Sequence, residues 1–474
     1  MTDPRLVNTY KDSVNSQRRE PTVPHPYLFL VLECDRPGAG GARYALAGVD
    51  EVVIGRGNER RATHLAEGGK SRLVLSVPAR SMSSLHARIL RCDGGWALED
   101  AGSTNGSFLN GYKVDKALAG DDDVIELGHT LFTLRHALPT PAKGPSDLDS
   151  AELSSQPPGF ATLLPDARTQ LEMLARIATS KLAILLLGET GTGKEVLARS
   201  VHAMSGRGGS FMAINCGALP DELVEAQLFG HVKGAFSGAI RDEPGAIRAA
   251  EGGTVLLDEV GDLPRAAQPA LLRFLQESEI TPVGSARAVR VDVRVVAATH
   301  QPLNDFVFAK IFRADLLARL SGFVHSLPNL RARREDLGLI VANILRRHGL
   351  ESRGTTFTVH AGRRILSYPW PANVRELELA LVRACTLAET DRLEERHLLL
   401  GDHFSVPPAR PDTGRPRGDR PMSQEDADLR RELILQLERC NGSVADVARA
   451  LGKARMQIHR WLKRLDIDPD RYRR

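Results

Sequence analysis

The residues with the clearest chemical purpose are Gly188-Glu189-Thr190-Gly191-Thr192-Gly193-Lys194, which follow the apolar run Leu182 to Leu187 and open a helical stretch. Glycines at this spacing let the backbone curl until its N–H groups and a helix N-terminus face a phosphate, while Lys194 adds a cation near the outer phosphates. The general phosphate-loop pattern has Ser or Thr after the lysine to hold magnesium, whereas this chain has Glu195. Downstream, Gly253-Thr-Val-Leu-Leu-Asp258-Glu259 is an apolar strand ending in two carboxylates. Such a pair is usually solvated when seen alone. A phosphate loop upstream reverses that reading: Asp258 is placed to hold magnesium through water, together with the phosphates of the nucleotide, and Glu259 to polarise the attacking water. The implied chemistry is hydrolysis of a nucleoside triphosphate, with ATP and Mg2+ as cofactors.

Chemistry of this kind needs a parallel sheet to carry the loop, and the pattern supplies one. From residue 159 to about 330, apolar strands such as Ala183 to Leu187, Val255 to Leu257 and Val293 to Ala297 alternate with helical stretches. Helices then dominate to residue 402. Before this core, residues 26–136 show short β-rich runs (Tyr27 to Leu32, Val52 to Ile54, Trp96 to Glu99, Val124 to Leu127) separated by Gly, Asn, Asp and Ser clusters, the pattern of an all-β sandwich. Residues 137–158 and 403–422, rich in Pro, Gly and polar residues, read as linkers. The charged insertion from Asn58 to Lys70 reads as a solvated loop. Residues 423–470 have helical periodicity.

A chain of 474 residues, 42% hydrophobic and 26% charged, is too long for a single core. No run approaches the ~18 apolar residues of a spanning helix, and the polar stretch through Glu20 lacks a signal-peptide layout. The five cysteines are scattered singly, without zinc or disulfide spacing. A cytoplasmic protein without membrane partners is expected.

The central region resembles the AAA+ domain of sigma-54-dependent, enhancer-binding transcription activators. The most specific likeness is Leu228-Phe-Gly-His-Val-Lys-Gly234-Ala-Phe-Ser-Gly-Ala239, similar to the family's GAFTGA loop; Ser237 stands where Thr is usual. Glu after Lys194 is itself typical of the family. Further likenesses are Asn215-Cys216, Gly261-Asp-Leu-Pro264, Phe312-Arg-Ala-Asp-Leu316 and Trp370-Pro-Ala-Asn-Val-Arg-Glu-Leu377. The resemblance implies a sigma-54-interacting ATPase domain over 159–402, its helical lid at about 331–402. It makes Gly188, Glu189, Thr190, Gly191, Thr192, Gly193, Lys194, Glu195 and Arg375 ATP-binding residues. Asp258 and Glu259 are then catalytic, with Arg313 and Arg319 as fingers reaching a neighbour's γ-phosphate in a ring expected to be a hexamer. Asn215 would bond Glu259, Thr299 and His300 would fill the first sensor position, where Asn is usual in place of His300, and Gly234, Ala235, Phe236, Ser237, Gly238 and Ala239 would touch sigma-54.

Gly55-Arg56-Gly57, Ser83-Ser-Leu-His86, Ser103-Thr-Asn-Gly106 and Asn110-Gly111 resemble a forkhead-associated (FHA) domain, covering 26–136. A phosphate with nearly two negative charges asks for a guanidinium and short donors, which Arg56, Ser83, Ser84, Thr104 and Asn105 can supply. His86 reads as a buried support. At the other end, Ser443 to Gly452 leading into Ala454 to Leu465 resembles the Fis-type helix-turn-helix, over 423–470. Lys453, Arg455, Gln457, His459, Arg460, Lys463 and Arg464 are its candidate DNA contacts; no acid lies between Asp446 and Asp466. The fold expected is therefore multidomain: an all-β FHA sandwich, an α/β AAA+ phosphate-loop ATPase with a helical lid, and an all-α helix-turn-helix. The implied partners are sigma-54 RNA polymerase holoenzyme, upstream enhancer DNA, a threonine-phosphorylated protein or its kinase, and further copies of the chain. A general protein-remodelling ATPase and a phosphopeptide scaffold with an inactive ATPase are the rival readings.

Overall fold

The computed structural model describes residues 21–141, 144–218, 220–401, 433–437, 440, 446–447 and 450–451. The chain divides into two compact units, Met1–Thr413 and Gly414–Arg474. In the second, residues 433–437 are helical, with Leu433, Leu437 and Val447 buried. The seven candidate DNA contacts lie outside the described residues.

The first unit begins with a β-sandwich. One sheet runs in the order Leu148–Asp149, Ala42–Ala45, Thr22–Glu33, Thr130–Pro141, Val124–Leu127, Ser107–Leu109, Tyr112–Val114. The other runs Lys116–Ala119, Gly95–Asp100, Ala87–Cys92, Glu51–Arg56, Lys70–Val77, Arg61–Glu67. Alternation along these strands sends Leu28, Leu30, Val52, Ile54, Ile89, Leu98 and Phe132 into one core between the sheets. The strand Thr22–Glu33 departs from simple alternation, because every residue from Tyr27 to Glu33 is buried. Its second face explains this. Tyr27, Phe29 and Val31 join a different core, shared with Leu337, Val341, Ile365, Trp370 and Leu377 of the helical lid. A continuous apolar run marks a strand covered on both sides.

Two stretches differ from the sequence expectation. Residues 137–158, expected as a linker, are largely built into the sandwich. The strand Thr130–Pro141 runs through them, Leu148 and Asp149 pair with Arg43 and Ala42, and a capping box on Asp149 opens the turn Ser150–Leu153. Leu138, Leu148 and Leu153 are buried, and Asp149 is clasped by Arg60 at 2.6 and 2.7 Å, so a few anchors override an open composition. Much of the stretch Asn58 to Lys70, expected as a solvated loop, forms a hairpin: Arg61–Glu67 pairs with Lys70–Val77. Gly68 and Gly69, at φ 59° and 77°, supply the two-residue turn whose twist suits antiparallel strands.

The central domain holds a five-stranded, all-parallel sheet in the order Phe211–Asn215, Thr254–Asp258, Arg294–Thr299, Ile184–Leu187, Phe323–Ser326. The strand Ile184–Leu187 lies between two neighbours and ends where the phosphate loop starts, so the loop stands at the carboxyl edge of the sheet. Leu186, Leu197, Val201 and Val296 fill one side of the sheet, and Leu185, Leu257, Val295 and Leu316 the other. The lid follows, with helices Leu337–Arg347, Val359–Ser367 and Asn373–Leu387. The first has Glu335 and Asp336 just before it and Arg346 and Arg347 in its last turn, charges that complement the helix dipole. Thr358 caps the second by accepting from the Ala361 amide. Among the described residues no helix is long and apolar enough to cross a membrane.

Candidate nucleotide site and signal-reading loops

The phosphate loop bends through three glycines in conformations that side chains avoid, Gly188 (φ 159°), Gly191 (φ 79°) and Gly193 (φ 102°). Gly193 precedes the helix Lys194–Met204, whose N-terminus therefore opens onto the loop. Lys194 is buried, and its Nζ donates to the carbonyls of Gly188 (2.9 Å) and Glu189 (3.4 Å). It also lies 3.7 Å from the Glu259 carboxylate. Beside the loop is a cavity of about 640 Å³, lined among others by Gly159, Leu164, Val196, His325 and Arg333. Its size and mostly apolar walls suit a heterocyclic base with a sugar. Burial pushes His325, on the strand Phe323–Ser326, down to about 4.

The two carboxylates meet the loop from the strand Thr254–Asp258. Asp258 is raised above the usual range by burial and then by the charge of Glu259. Glu259 is also opposed by burial, but its hydrogen bond to His300 and the charge of Lys194 hold it below the usual range. The Glu259 backbone is left-handed at φ 50°, a cost of about 1–2 kcal/mol that aims the side chain at the loop.

Asn215 was expected to bond Glu259, and the structure corrects this. Although Asn215 sits beside Asp258 in parallel register, its Oδ1 accepts from the Gly217 amide at 3.0 Å. Glu259 Oε2 instead meets His300 Nδ1 at 2.8 Å and the His300 amide at 3.3 Å, with Thr299 Oγ1 at 3.4 Å. The bonding Nδ1 stands no farther along its side chain than a carboxamide nitrogen would, so the position of His300, directly after the strand Arg294–Thr299, decides the partner.

Residues of the lid and of the segment just before it hold the phosphate loop. Glu189 accepts from Asn329 (2.9 Å), Arg331 (2.8 Å) and Asn373 (3.1 Å), and Arg333 donates to the Thr192 carbonyl (2.9 Å). The Asn329 and Asn373 bonds lead the causes that keep Glu189 below the usual carboxylate range. A methyl group on Gly191 would stand 2.2 Å from the Ala372 carbonyl, so only glycine lets the lid approach this closely. Arg375 lies in that same contact: its amide donates to the Gly191 carbonyl at 3.3 Å, while its side chain is exposed. Thr192 Oγ1 turns back to Glu189, and Glu195 pairs with Arg199 on its own helix.

Arg313 and Arg319 are exposed; Arg313 pairs with Asp315, and Arg319 lines a hollow with Lys181 and Arg207, apart from the cavity beside the phosphate loop. The segment Gly234 to Ala239 is closed by hydrogen bonds from Gly234 N to Ala239 O and from Ala239 N to Phe236 O. Phe236 stacks at a tilt on His231, 4.9 Å between ring centres. Ser237 is exposed, and both glycines have open space where a side chain would be. In the sandwich, Ser83 Oγ accepts from the Thr104 amide at 3.1 Å, and Asn105 Nδ2 donates to the Ser81 carbonyl at 2.7 Å. Arg56, Ser84, Thr104 and Asn105 are exposed around this point, and the Arg56 amide donates to Ser83 O. His86 is fully buried beneath them, holding the Ser83 amide and the Gly106 carbonyl.

Three family models match the chain: a sigma-54 interaction domain over residues 163–325, an FHA domain over 52–128 and an AAA+ ATPase lid domain over 331–405. The hydrogenase transcriptional regulatory protein HoxA of Bradyrhizobium diazoefficiens is 41% identical over 301 residues, 63% of this chain and 62% of the relative. The anaerobic nitric oxide reductase transcription regulator NorR of Citrobacter koseri is 43% identical over 301 residues, 61% of this chain and 60% of the relative. The chain therefore carries a sigma-54 interaction domain, an AAA+ ATPase lid domain and an FHA domain, and is similar to these transcription regulators. It spans about three-fifths of the length of these two relatives. Among solved structures, NtrX from Brucella abortus in complex with ATP is 30% identical over 63% of this chain and 67% of that one, with a TM-score of 0.45. In this chain, then, the strand-end carboxylates and the phosphate loop belong to an AAA+ ATPase core, and the sandwich in front is an FHA domain.

Proposed function

We propose that the chain is an ATP-driven activator that remodels sigma-54 RNA polymerase holoenzyme for promoter opening, tethered to upstream DNA and controlled by phosphothreonine recognition. The observation that carries this reading is the convergence of Lys194, Asp258 and Glu259 on one loop in a chain that also carries the segment Gly234 to Ala239, with Gly234, Ser237 and Gly238 exposed. The loop amides and Lys194 hold the ATP phosphates, Glu259 takes a proton from the attacking water, and Arg313 and Arg319 of an adjacent copy neutralise charge on the γ-phosphate. Asp258 fits magnesium as a hard oxygen donor at the end of the strand Thr254–Asp258, where the phosphates of the nucleotide would complete the coordination. The ion's charge would also relieve the raised Asp258. Held there by Asp258 and the nucleotide, the ion would supply charge neutralisation for the phosphates during hydrolysis.

Phe236 and Ser237 present a small apolar and hydroxyl surface for sigma-54. Arg56, with Ser83, Ser84, Thr104 and Asn105, reads the phosphothreonine of a partner protein or kinase, and the basic C-terminal segment holds DNA. The test is open-complex formation by sigma-54 polymerase on a promoter with upstream DNA. The parental chain should open it with ATP, whereas Glu259→Gln should bind ATP yet lose about 100-fold or more in turnover and open nothing. Promoter opening without any ATP turnover would overturn the proposal.

A further inference from the structure

The FHA domain reaches the nucleotide site through one buried arginine. Arg43, on the strand Ala42–Ala45, is 4% exposed, yet its guanidinium points out of the sandwich. It donates to the Leu163 carbonyl at 2.8 Å, the Ser146 carbonyl at 3.0 Å and Ser146 Oγ at 3.2 Å. Leu163 begins the ATPase domain, and its amide donates to Asp336 Oδ1 at 2.6 Å; Thr162 Oγ1 donates to Asp336 Oδ2 at 2.7 Å. Asp336, at the start of the lid, is 1% exposed, and its amide donates to the Arg333 carbonyl at 3.0 Å. Arg333 in turn holds the Thr192 carbonyl of the phosphate loop at 2.9 Å. Asp336 is thus tied to Arg43 of the FHA sandwich through the Leu163 peptide and to Arg333 of the lid through its own amide, and Arg333 touches the phosphate loop.

We propose that Arg43 is a positioning residue of the nucleotide site, so that the FHA domain is a structural part of the ATPase rather than a tethered reader. The physical reason is the cost of leaving a buried polar group unpaired. Without Arg43 the Leu163 carbonyl loses its donor, so the segment Thr162 to Leu164, which holds the Asp336 carboxylate, and the Arg333 turn lose their fixed relation. The Thr192 carbonyl then loses a donor held in place, and the loop amides spread over more conformations before they meet phosphate. No contact between Arg43 and nucleotide is needed. Two discrete seatings of this junction suffice to couple the FHA domain to ATP.

The proposal rests on the ATPase reading above, and the test separates the two. In full-length protein without nucleotide, hydrogen exchange at the amides of Gly193 and Lys194 should be faster in Arg43→Ala than in the parent, with Arg43→Lys between them. With ATP, Arg43→Ala should raise KM on the order of tenfold, inside the ~5–150-fold range of such couplings, and leave kcat within about twofold. Binding of a phosphothreonine peptide to the FHA loops should not change. If Arg43→Ala fails to fold, Arg43→Lys against Asp336→Asn, singly and together, gives the same answer: the two effects on KM should be non-additive. Unchanged loop exchange and unchanged KM in the folded variants, with only a lower melting temperature, would overturn the proposal. A parent that exchanges as expected but does not turn over ATP would instead defeat the ATPase reading.

Discussion

At the scale of single residues, the site is governed by which partners reach a buried charge first. Glu259 is gripped by His300 at 2.8 Å and faces Lys194 at 3.7 Å, and Asn215 beside the same strand is left to its own loop. This substitution of partner could not be read from motif order, which places both side chains near the glutamate without ranking their reach. His325 shows the same principle in titration. Burial moves it from 6.5 to about 4, so the fold keeps it neutral while the unfolded chain takes up a proton. Its contribution is therefore complete above about pH 6.5 and is lost as pH falls toward 4, amounting to about 2 kcal/mol between pH 7.5 and 5. We expect His325→Phe to flatten this acid limb, measured as the change in unfolding free energy of the two proteins across that interval. Equal slopes would refute the assignment.

At the scale of elements, the informative contact is between the strand Thr22–Glu33 and the helix Leu337–Arg347. A methyl group on Gly338 would lie 1.7 Å from the Val31 carbonyl, with no flexible side chain to give way. Helix and strand backbones touch there, with Tyr27, Phe29, Leu339 and Val341 in the surrounding core. Each such side chain contributes on the order of 1.5–3 kcal/mol when fully buried, so the seam is as strong as a domain interior. Ion pairs ring it: Arg135 with Glu335, Arg334 with Asp122 at 3.3 Å, and Arg363 with Glu126 at 2.5 Å. Gly338→Ala should therefore destabilise by about 1–3 kcal/mol or more and loosen the FHA domain to limited proteolysis. Gly208→Ala, where a methyl group meets nothing, serves as the control. A Gly338→Ala protein as stable and protease-resistant as the control would show that the seam yields.

At the scale of the whole molecule, the finger role proposed for the exposed Arg313 and Arg319 implies a neighbouring copy. Arg313 and Arg319 do not line the cavity beside their own phosphate loop, and a guanidinium missing from a phosphoryl-transfer site costs ~10³–10⁵ in kcat. Arg319→Ala and Lys194→Ala chains should each be nearly inactive alone and regain part of the turnover when mixed, because some interfaces then pair an intact finger with an intact loop. Mixtures that never exceed the separate proteins would exclude a shared site. The sequence by itself determined the kinds of unit and the chemistry of the centre. Glycine spacing after an apolar strand, two acids at a strand end, and turn-separated β runs are local patterns, and local sterics and periodicity dictate what they build. It did not determine that residues 137–158 fold, that His300 displaces Asn215, or that Glu189 and Thr192 are held by Asn329 just before the lid and Arg333 and Asn373 within it. Those outcomes depend on distances between segments far apart in the chain. Nor could Arg43, one basic residue on one β-strand, announce a role at a phosphate loop some 150 residues away. The proposed role rests on the tertiary structure, which buries the Arg43 guanidinium against the Leu163 carbonyl, beside the turn that carries Asp336 and Arg333, where an unpaired carbonyl would be costly.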